Sequence, residues 1–144
     1  MSETTFVYVT YINAPAQQVW NALTQGDFTA QYWGGRRIQS DWQVGSLVKH
    51  VRQDGTFDWE GTVLEIDAPR LLSYTWMTPG QKPSRVIFKL NYQEPNTRLQ
   101  LTHEELDTDS ALYAQTLEGW FAILSSLKTL MERGEALAFP AWRG

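Results

Sequence analysis

Residues 61–76 read GTVLEIDAPRLLSYTW, and this stretch decides the fold. β-Branched, aliphatic and aromatic residues stand on both sides of Ala68-Pro69-Arg70, which predicts strands over 57–67 and 71–77 joined by a short turn. Pro69 cannot donate a backbone hydrogen bond within a sheet, so it marks the break between the two strands. A connection this short favours antiparallel neighbours, because a parallel pair needs a crossover. The segment is therefore predicted to be a β-hairpin.

The same pattern repeats on both sides of this hairpin. Further runs rich in β-branched and aromatic residues, separated by turn residues, predict strands over 6–12, 36–42, 46–52, 84–93 and 97–104. Seven strands at hairpin spacing predict an antiparallel sheet. Within 57–67 the inward residues change face after Val63, where Leu64 and Ile66 take over, which indicates a bulge or a twist.

Two short segments near the N-terminus have the character of helices. Residues 16–24 follow Pro15, a favourable residue for a first helical turn, and predict a short amphipathic helix. Asp27 can cap a second helical segment that runs through Trp33 and is closed by Gly34-Gly35.

Residues 109–133 predict a helix of about six or seven turns. Asp107 or Asp109 can cap its start, and Gly134 can end it. Apolar residues recur there at steps of three and four and form one stripe: Leu117, Trp120, Leu124, Leu127 and Met131.

Alternation along the strands indicates which residues face this long helix. The inward set mixes large aromatic side chains with a few polar tips and comprises Trp59, Tyr74, Trp76, Phe88, Tyr92, His103 and Trp120. We expect Trp33 near the mouth of the enclosed space and Leu124 on its helical side. Two interpretations remain open. The space is either a solid aromatic core, with polar tips bonded to the backbone, or a partly hollow groove that admits an apolar or aromatic ligand.

The composition excludes several classes of protein. The chain has 144 residues, 42% of them hydrophobic and 13% aromatic, which favours one folded domain and excludes disorder. With no Cys and two His, a disulfide framework and a thiolate zinc site are excluded, and we expect no metal and no cofactor. A formal net charge of −4 argues against nucleic-acid binding. The absence of a signal pattern and of a long apolar run predicts no membrane insertion and a cytoplasmic location.

The order of elements, β-α-α-β6-α, resembles the helix-grip fold of the START/Bet v 1-like (SRPBCC) superfamily. Local motifs resemble those of the branch related to the activator of heat-shock-protein-90 ATPase. The matching segments are residues 12–15 (INAP), 19–23 (VWNAL), 31–33 (QYW), 61–76 and 118–120 (EGW). The resemblance covers roughly residues 5–134 and implies an α+β domain in which a curved antiparallel sheet wraps around the long C-terminal helix. We therefore expect one domain over residues 1–134 and a tail over 135–144. The resemblance implies a chaperone as a partner, whereas the aromatic inward face favours a small hydrophobic molecule. A homodimer stays open.

Few residues offer catalytic chemistry. His103 is the candidate for acid–base work, because it ends a strand on the inward side and its ordinary pKa lies near neutrality. His50 is expected at the surface or at an edge. Tyr74 and Tyr92 could donate hydrogen bonds to a carbonyl group in the pocket.

Three functions are consistent with these residues. The first is binding of a small hydrophobic or aromatic molecule, without catalysis or with only weak catalysis. The second is an enzyme of the aromatase/cyclase type that uses His103 and a pocket tyrosine. The third is a module that contacts another protein, such as a chaperone, through an exposed apolar patch that includes Phe139 and Trp142.

Overall fold

The computed structural model describes residues 3–77 and 82–138. Over these residues the predicted order β-α-α-β6-α is confirmed. The elements are β1 (Glu3–Ile12), α1 (Ala16–Thr24), α2 (Gly26–Tyr32), β2 (Arg37–Ser40), β3 (Leu47–Val51), β4 (Phe57–Asp67), β5 (Leu71–Trp76), β6 (Ser84–Gln93), β7 (Asn96–Asp107) and α3 (Tyr113–Arg133). No helix within these ranges is long and apolar enough to cross a membrane.

The described strands form one antiparallel sheet in the order β1-β7-β6-β5-β4-β3-β2. From β2 to β7 each strand pairs with its neighbour in sequence, as hairpin connections dictate. The first strand pairs with the last, with Tyr8 opposite Leu101, and this long-range pairing brings the N-terminus beside β7. The sheet curves around α3, and the predicted α+β helix-grip architecture is confirmed.

Residues 61–76 form the predicted antiparallel hairpin. Ile66 pairs with Leu72 and Val63 with Tyr74, and the register shifts between Val63 and Glu65, where the change of face indicated a bulge. At the far end of this hairpin the two backbones approach so closely that a Cβ atom on Gly61 would lie 1.7 Å from the carbonyl oxygen of Thr75. Glycine is therefore the one residue type that fits at position 61 of β4.

The long helix lies against the concave face of the sheet. Its buried side chains belong to one hydrophobic core with the inward strand residues, and they include Trp120, Ile123, Leu124, Leu127 and Leu130. Leu117 and Met131, the two ends of the predicted stripe, are only partly buried.

The prediction for the start of this helix is wrong. The Asp107 side chain accepts from the backbone N–H of Asp109, and Ser110 Oγ accepts from that of Leu112, so these residues form turns instead. The helix starts at Tyr113 without a side-chain cap. Its predicted end is confirmed, because Gly134 adopts a φ of 83° and donates its N–H to the carbonyl of Leu130.

The two short helices position the segment that follows them. The Tyr32 hydroxyl donates to the carbonyl of Ala22, which ties α2 to α1. Thr29 Oγ1 accepts from the N–H of Ile38, which ties α2 to β2. Trp33 comes directly after α2, and its buried ring contacts His50 of β3 and Trp59 of β4.

Candidate functional site at the open end of the sheet

A cleft of about 360 Å³ lies between the N-terminal half of α3 and the ends of β4 and β5. Four tryptophans from four parts of the fold line it, and we refer to them as the cleft tryptophans: Trp33, Trp59, Trp76 and Trp120. The rest of the lining comes from the helix and from the turn after α2, and it comprises Leu112, Gln115, Thr116, Gly119, Ile123, Gly34 and Arg36. The space between sheet and helix is therefore hollow at this end.

The cleft tryptophans contact one another as well as the open space. The rings of Trp59 and Trp76 are stacked, with centroids 3.5 Å apart and an interplanar angle of 25°. The Trp120 ring lies edge-on to Trp33 at 5.5 Å and tilted against Trp76 at 5.2 Å. Stacked and edge-to-face contacts between aromatic rings restrict the orientations that the rings adopt. They give the cleft closely packed, apolar walls.

Gly119 accounts for part of the free volume on the helical wall. It lies one residue before Trp120, lines the cleft, and a Cβ atom added there would meet no atom within 4 Å. A glycine inside a helix costs stability relative to alanine, by roughly 0.5–1 kcal/mol. At this position the missing side chain leaves the cleft open.

His103 lies deeper, where it connects two of the cleft tryptophans. Its Nδ1 accepts from Trp120 Nε1 over 3.0 Å, and its Nε2 lies 2.7 Å from Ser84 Oγ. An indole nitrogen can only donate, so Nδ1 carries no proton and the neutral ring holds its proton on Nε2. Nε2 therefore donates to Ser84 Oγ, which in turn donates to the carbonyl of Trp76 over 3.3 Å.

This chain of bonds sets the chemistry of His103. A histidine that activates a serine must present a bare nitrogen to the hydroxyl, whereas here the proton occupies that nitrogen. Burial also lowers the pKa of His103 to about 4, so the ring is neutral at pH 7. His103 lines a smaller cavity of about 60 Å³ together with Ser84. It reaches the main cleft through its bond to Trp120 Nε1 and through its ring contact with Trp76, whose centroid lies 5.4 Å away.

His50 is a residue whose place the sequence interpretation missed. It is fully buried, against the expectation of a surface position, and its ring lies edge-on to Trp33 with centroids 4.8 Å apart. Neither ring nitrogen has a hydrogen-bond partner among the described residues. Burial lowers its pKa well below the ordinary value, and the charge of Arg36 lowers it further. The alternation of Val48, Lys49 and His50 was the available signal, because the charged Lys49 must face outward.

The remaining predicted site residues do not line the cleft. Tyr74, Phe88 and Leu124 are buried in the core beneath it, where they fill the space between sheet and helix. Burial raises the pKa of Tyr74 far above its ordinary range, so its hydroxyl stays protonated. The prediction that Tyr92 faces the enclosed space is wrong, because its side chain is 47% exposed near the end of β6. The space between the sheet and the long helix is thus a filled core at one end and a hollow cleft at the other, so each of the two interpretations drawn from the sequence applies to one end.

Together, a curved antiparallel sheet, a long C-terminal helix across it and a cleft at one end of their interface define a helix-grip protein of the SRPBCC class. The chain belongs to the family of Activator of Hsp90 ATPase homolog 1-like proteins, whose model matches residues 13–132. No curated protein sequence matches the chain.

Solved structures share this fold at low sequence identity. CalU16 from Micromonospora echinospora is 20% identical, with a TM-score of 0.75 over 92% of this chain and 78% of that one. The Aha1 dimer from Colwellia psychrerythraea is 23% identical, with a TM-score of 0.76 over 92% and 99%. PFC0360w, an HSP90 activator from Plasmodium falciparum, is 19% identical, with a TM-score of 0.75 over 88% and 94%. At these identities the likeness shows the fold alone.

Proposed function

We propose that the chain binds a small hydrophobic molecule with an aromatic ring system in the cleft between the sheet and α3. The observation that carries this proposal is the convergence of four tryptophans on an open space of about 360 Å³. Small-molecule pockets typically measure about 300–1,000 Å³ and are lined by apolar and aromatic side chains with a few polar groups. The cleft has both properties.

The expected affinity follows from the apolar surface that a ligand would bury. A two-ring molecule that buries about 200 Å² gains roughly 5 kcal/mol, at about 25 cal/mol per Å². Since a Kd of 1 mM corresponds to about 4 kcal/mol and every 1.4 kcal/mol is tenfold, a gain of about 5 kcal/mol sets a lower limit of about 200 µM on the Kd of a bare two-ring probe, before the costs of association. A natural ligand that fills the cleft would bind more tightly.

The two histidines favour binding over aromatase/cyclase-type catalysis. The bond from Trp120 holds the His103 proton on the nitrogen that faces Ser84. His50 is fully buried beside Trp33 and is neutral at pH 7, since its pKa is well below the ordinary value. Neither ring is among the groups that line the cleft. A ligand there meets indole rings, one guanidinium and neutral polar groups.

A titration with 2-naphthamide, a neutral two-ring probe, tests the proposal by NMR of the indole N–H signals. We expect the signals of the cleft tryptophans to shift with one common Kd. Trp42 serves as an internal control, because its Nε1 donates to the carbonyl of Thr24 outside the cleft. No shift at millimolar probe, or equal shifts at Trp42 and at the cleft tryptophans, would contradict the proposal.

A second candidate function, contact with another protein, rests on the edge strand β1. Val7, Val9 and Tyr11 are 53%, 37% and 47% exposed along one face of this strand. No charged residue occurs from Thr4 to Asn13, although edge strands commonly carry charges or prolines that prevent pairing. Among the described strands, β1 pairs only with β7, so its other edge presents backbone donors and acceptors. The carbonyl of Tyr11, near the end of the strand, already accepts from Lys128 Nζ.

The partner that fits this edge best is a second copy of the chain. Two β1 strands related by a two-fold axis run antiparallel, and each apolar residue then meets an apolar counterpart with no like charges opposed. The Aha1 structure from Colwellia psychrerythraea is described as a dimer, which supports this choice. The apolar patch expected at Phe139 and Trp142 lies outside the described residues, and a chaperone contact there stays a prediction.

Sedimentation analysis of Val7→Lys against Val44→Lys tests the pairing. Val44 is 68% exposed in the turn before β3, so it controls for the added charge. We expect wild type and Val44→Lys to dimerise and Val7→Lys to be monomeric. A monomeric wild type at high concentration, or a Val7→Lys variant that still dimerises, would exclude the β1 interface.

A further inference from the structure

After the long helix the chain turns back and runs alongside it. Gly134 ends α3 in the left-handed conformation. Three residues later the N–H of Leu137 donates to Ser126 Oγ over 3.1 Å, and Ser126 Oγ donates to the carbonyl of Leu137 over 3.5 Å. Ala136 packs against the hydrophobic core on the way. Because Ser126 lies about two turns before the end of α3, residues 135–138 run antiparallel to the helix, toward its N-terminus.

The side of α3 that this segment follows leads to the cleft. Gly119 lies seven residues before Ser126, and Leu112 lies seven residues before Gly119, so the three residues share one side of the helix. Gly119 and Leu112 both line the cleft, and a Cβ atom added to Gly119 would meet no atom within 4 Å. The chain that continues beyond Leu137 is therefore directed along an open path toward the cleft.

The continuing chain is long enough to reach the cleft. Residues 139–144, which lie outside the described residues, read FPAWRG, and we refer to them as the 139–144 segment. An extended chain advances about 3.3 Å per residue, so Trp142 can reach about 17 Å beyond Leu137. Along the helix axis, Gly119 is only about 10 Å from Ser126, at 1.5 Å per residue. The side chain of Trp142 can therefore pass Gly119 and enter the cleft.

The composition of the 139–144 segment suits an apolar, aromatic site. The segment has no acidic residue and contains two aromatic residues, Phe139 and Trp142. Phe139 reaches only about 7 Å beyond Leu137, which is short of Gly119. Pro140 restricts its own φ and disfavours a helical conformation at the residue before it, which favours an extended path. Trp142 is thus the aromatic residue whose reach matches the cleft, and an indole ring can stack on or meet the edges of other aromatic rings there.

We infer that the 139–144 segment docks along α3 and places the Trp142 indole in the cleft, where it competes with a bound molecule. The competition rests on the proposed function, whereas the docking does not. An indole tethered this closely has an effective concentration of about 1 mM. With a Kd of about 0.2–1 mM, similar to the limit for the two-ring probe, it occupies the cleft about 50–80% of the time and weakens an external ligand about two- to sixfold.

Calorimetric titration with 2-naphthamide measures the competition. Trp142→Ala should bind the probe about two- to sixfold more tightly than the wild type, because no indole has to be displaced. Ser126→Ala should act in the same direction, since it removes both hydrogen bonds that hold Leu137 against α3. Alanine is also a favourable residue inside a helix, so this variant should fold. Phe139→Ala is the matched control and should bind the probe like the wild type.

Indole N–H spectra recorded without any ligand test the docking. If the Trp142 ring lies in the cleft, its removal takes a ring current away from the cleft tryptophans. We therefore expect the indole signals of the cleft tryptophans to shift in Trp142→Ala and to stay unchanged in Phe139→Ala. The signal of Trp42, whose indole N–H donates to the carbonyl of Thr24, should be the same in all three proteins.

The two measurements separate the inference from the proposed function. Unchanged signals of the cleft tryptophans in Trp142→Ala overturn the docking and leave the proposed function intact. Shifted signals with no probe binding by any variant support the docking and overturn the proposed function. Equal probe affinity in the wild type and Trp142→Ala overturns the competition. An effect of Trp142→Ala that vanishes on dilution assigns the segment to the cleft of a second copy and overturns docking within one chain.

Discussion

The indole N–H of Trp120 donates to Nδ1 of His103 over 3.0 Å, and this bond joins the long helix to the sheet behind the cleft. The other ring nitrogen of His103 donates to Ser84 Oγ, which donates to the backbone carbonyl of Trp76, and the His103 ring packs against the Trp76 indole with centroids 5.4 Å apart. One histidine therefore contacts two of the four cleft tryptophans. Because both indole rings form walls of the cleft, the shape of the site depends on a side chain that does not line it.

Replacing His103 with leucine should therefore destabilise the protein. It leaves Trp120 Nε1 buried without an acceptor and removes the donor to Ser84, and each buried polar group without a partner costs about 1–3 kcal/mol. We expect a loss of about 2–4 kcal/mol in the free energy of unfolding, measured with urea. His103→Asn is the matched control, since its Oδ1 can accept from Trp120. A leucine variant no less stable than the asparagine variant would show that the bond contributes nothing.

Stability should also fall in mild acid because of the buried histidines. The pKa of His103 is about 4 in the folded protein, against an ordinary value near 6.5. Between these pH values the unfolded chain binds a proton there and the folded chain does not. The contribution of His103 to the free energy of unfolding is therefore fully present above pH 6.5. It is lost as the pH falls toward 4, by about 1.4 kcal/mol per pH unit.

His50 adds to this loss with the same sign, since burial and Arg36 lower its pKa below the ordinary value. Urea unfolding at several values from pH 7.5 to 4.5 measures the combined slope. His103→Asn should reduce the slope by about one proton in this window. A parallel loss of stability in the variant and the wild type would show that His103 does not titrate in this window.

The same substitution should have opposite effects at two glycines. At Gly61 a Cβ atom would lie 1.7 Å from the carbonyl oxygen of Thr75, so Gly61→Ala must separate β4 from β5. We expect it to destabilise the protein by about 4 kcal/mol or more, or to prevent folding. At Gly119 nothing lies within 4 Å, and Gly119→Ala should stabilise α3 by about 0.5–1 kcal/mol. Thermal unfolding of both variants compares them directly, and equal effects would contradict these packing environments.

The sequence was sufficient for the fold because its signals are local. Alternation placed Leu72 and Tyr74 on the buried face of β5, and helical spacing placed Trp120, Leu124 and Leu127 on the buried face of α3. Alternation indicates which face of a strand a residue lies on. It does not indicate how far along the strand other elements pack against that face. Tyr92 shows this limit, since it continues the alternation of Phe88 and Leu90 and yet is half exposed.

The site was less predictable because it depends on distances between segments far apart in the chain. The tryptophans that line the cleft and the aromatic residues that fill the core have the same sequence character, and only their packing separates them. Trp42 gave no interpretable signal, and the structure explains it by a bond to Thr24 and a ring contact with Tyr74, both remote in sequence. The Trp120–His103–Ser84 chain likewise needs α3, β7 and β6 to be assembled first.

Calorimetric titration of Gly119→Leu with 2-naphthamide tests the central claim, a hollow cleft that binds an aromatic ring system, most directly. The leucine side chain extends from a helical position that lines the cleft and whose Cβ meets no other atom, so it should fill the cleft without disturbing the core. We expect affinity to fall at least about tenfold in Gly119→Leu and to stay within about twofold of wild type in Gly119→Ala, with both variants folded. Unchanged affinity in a folded Gly119→Leu variant would contradict the claim that the cleft is the binding site.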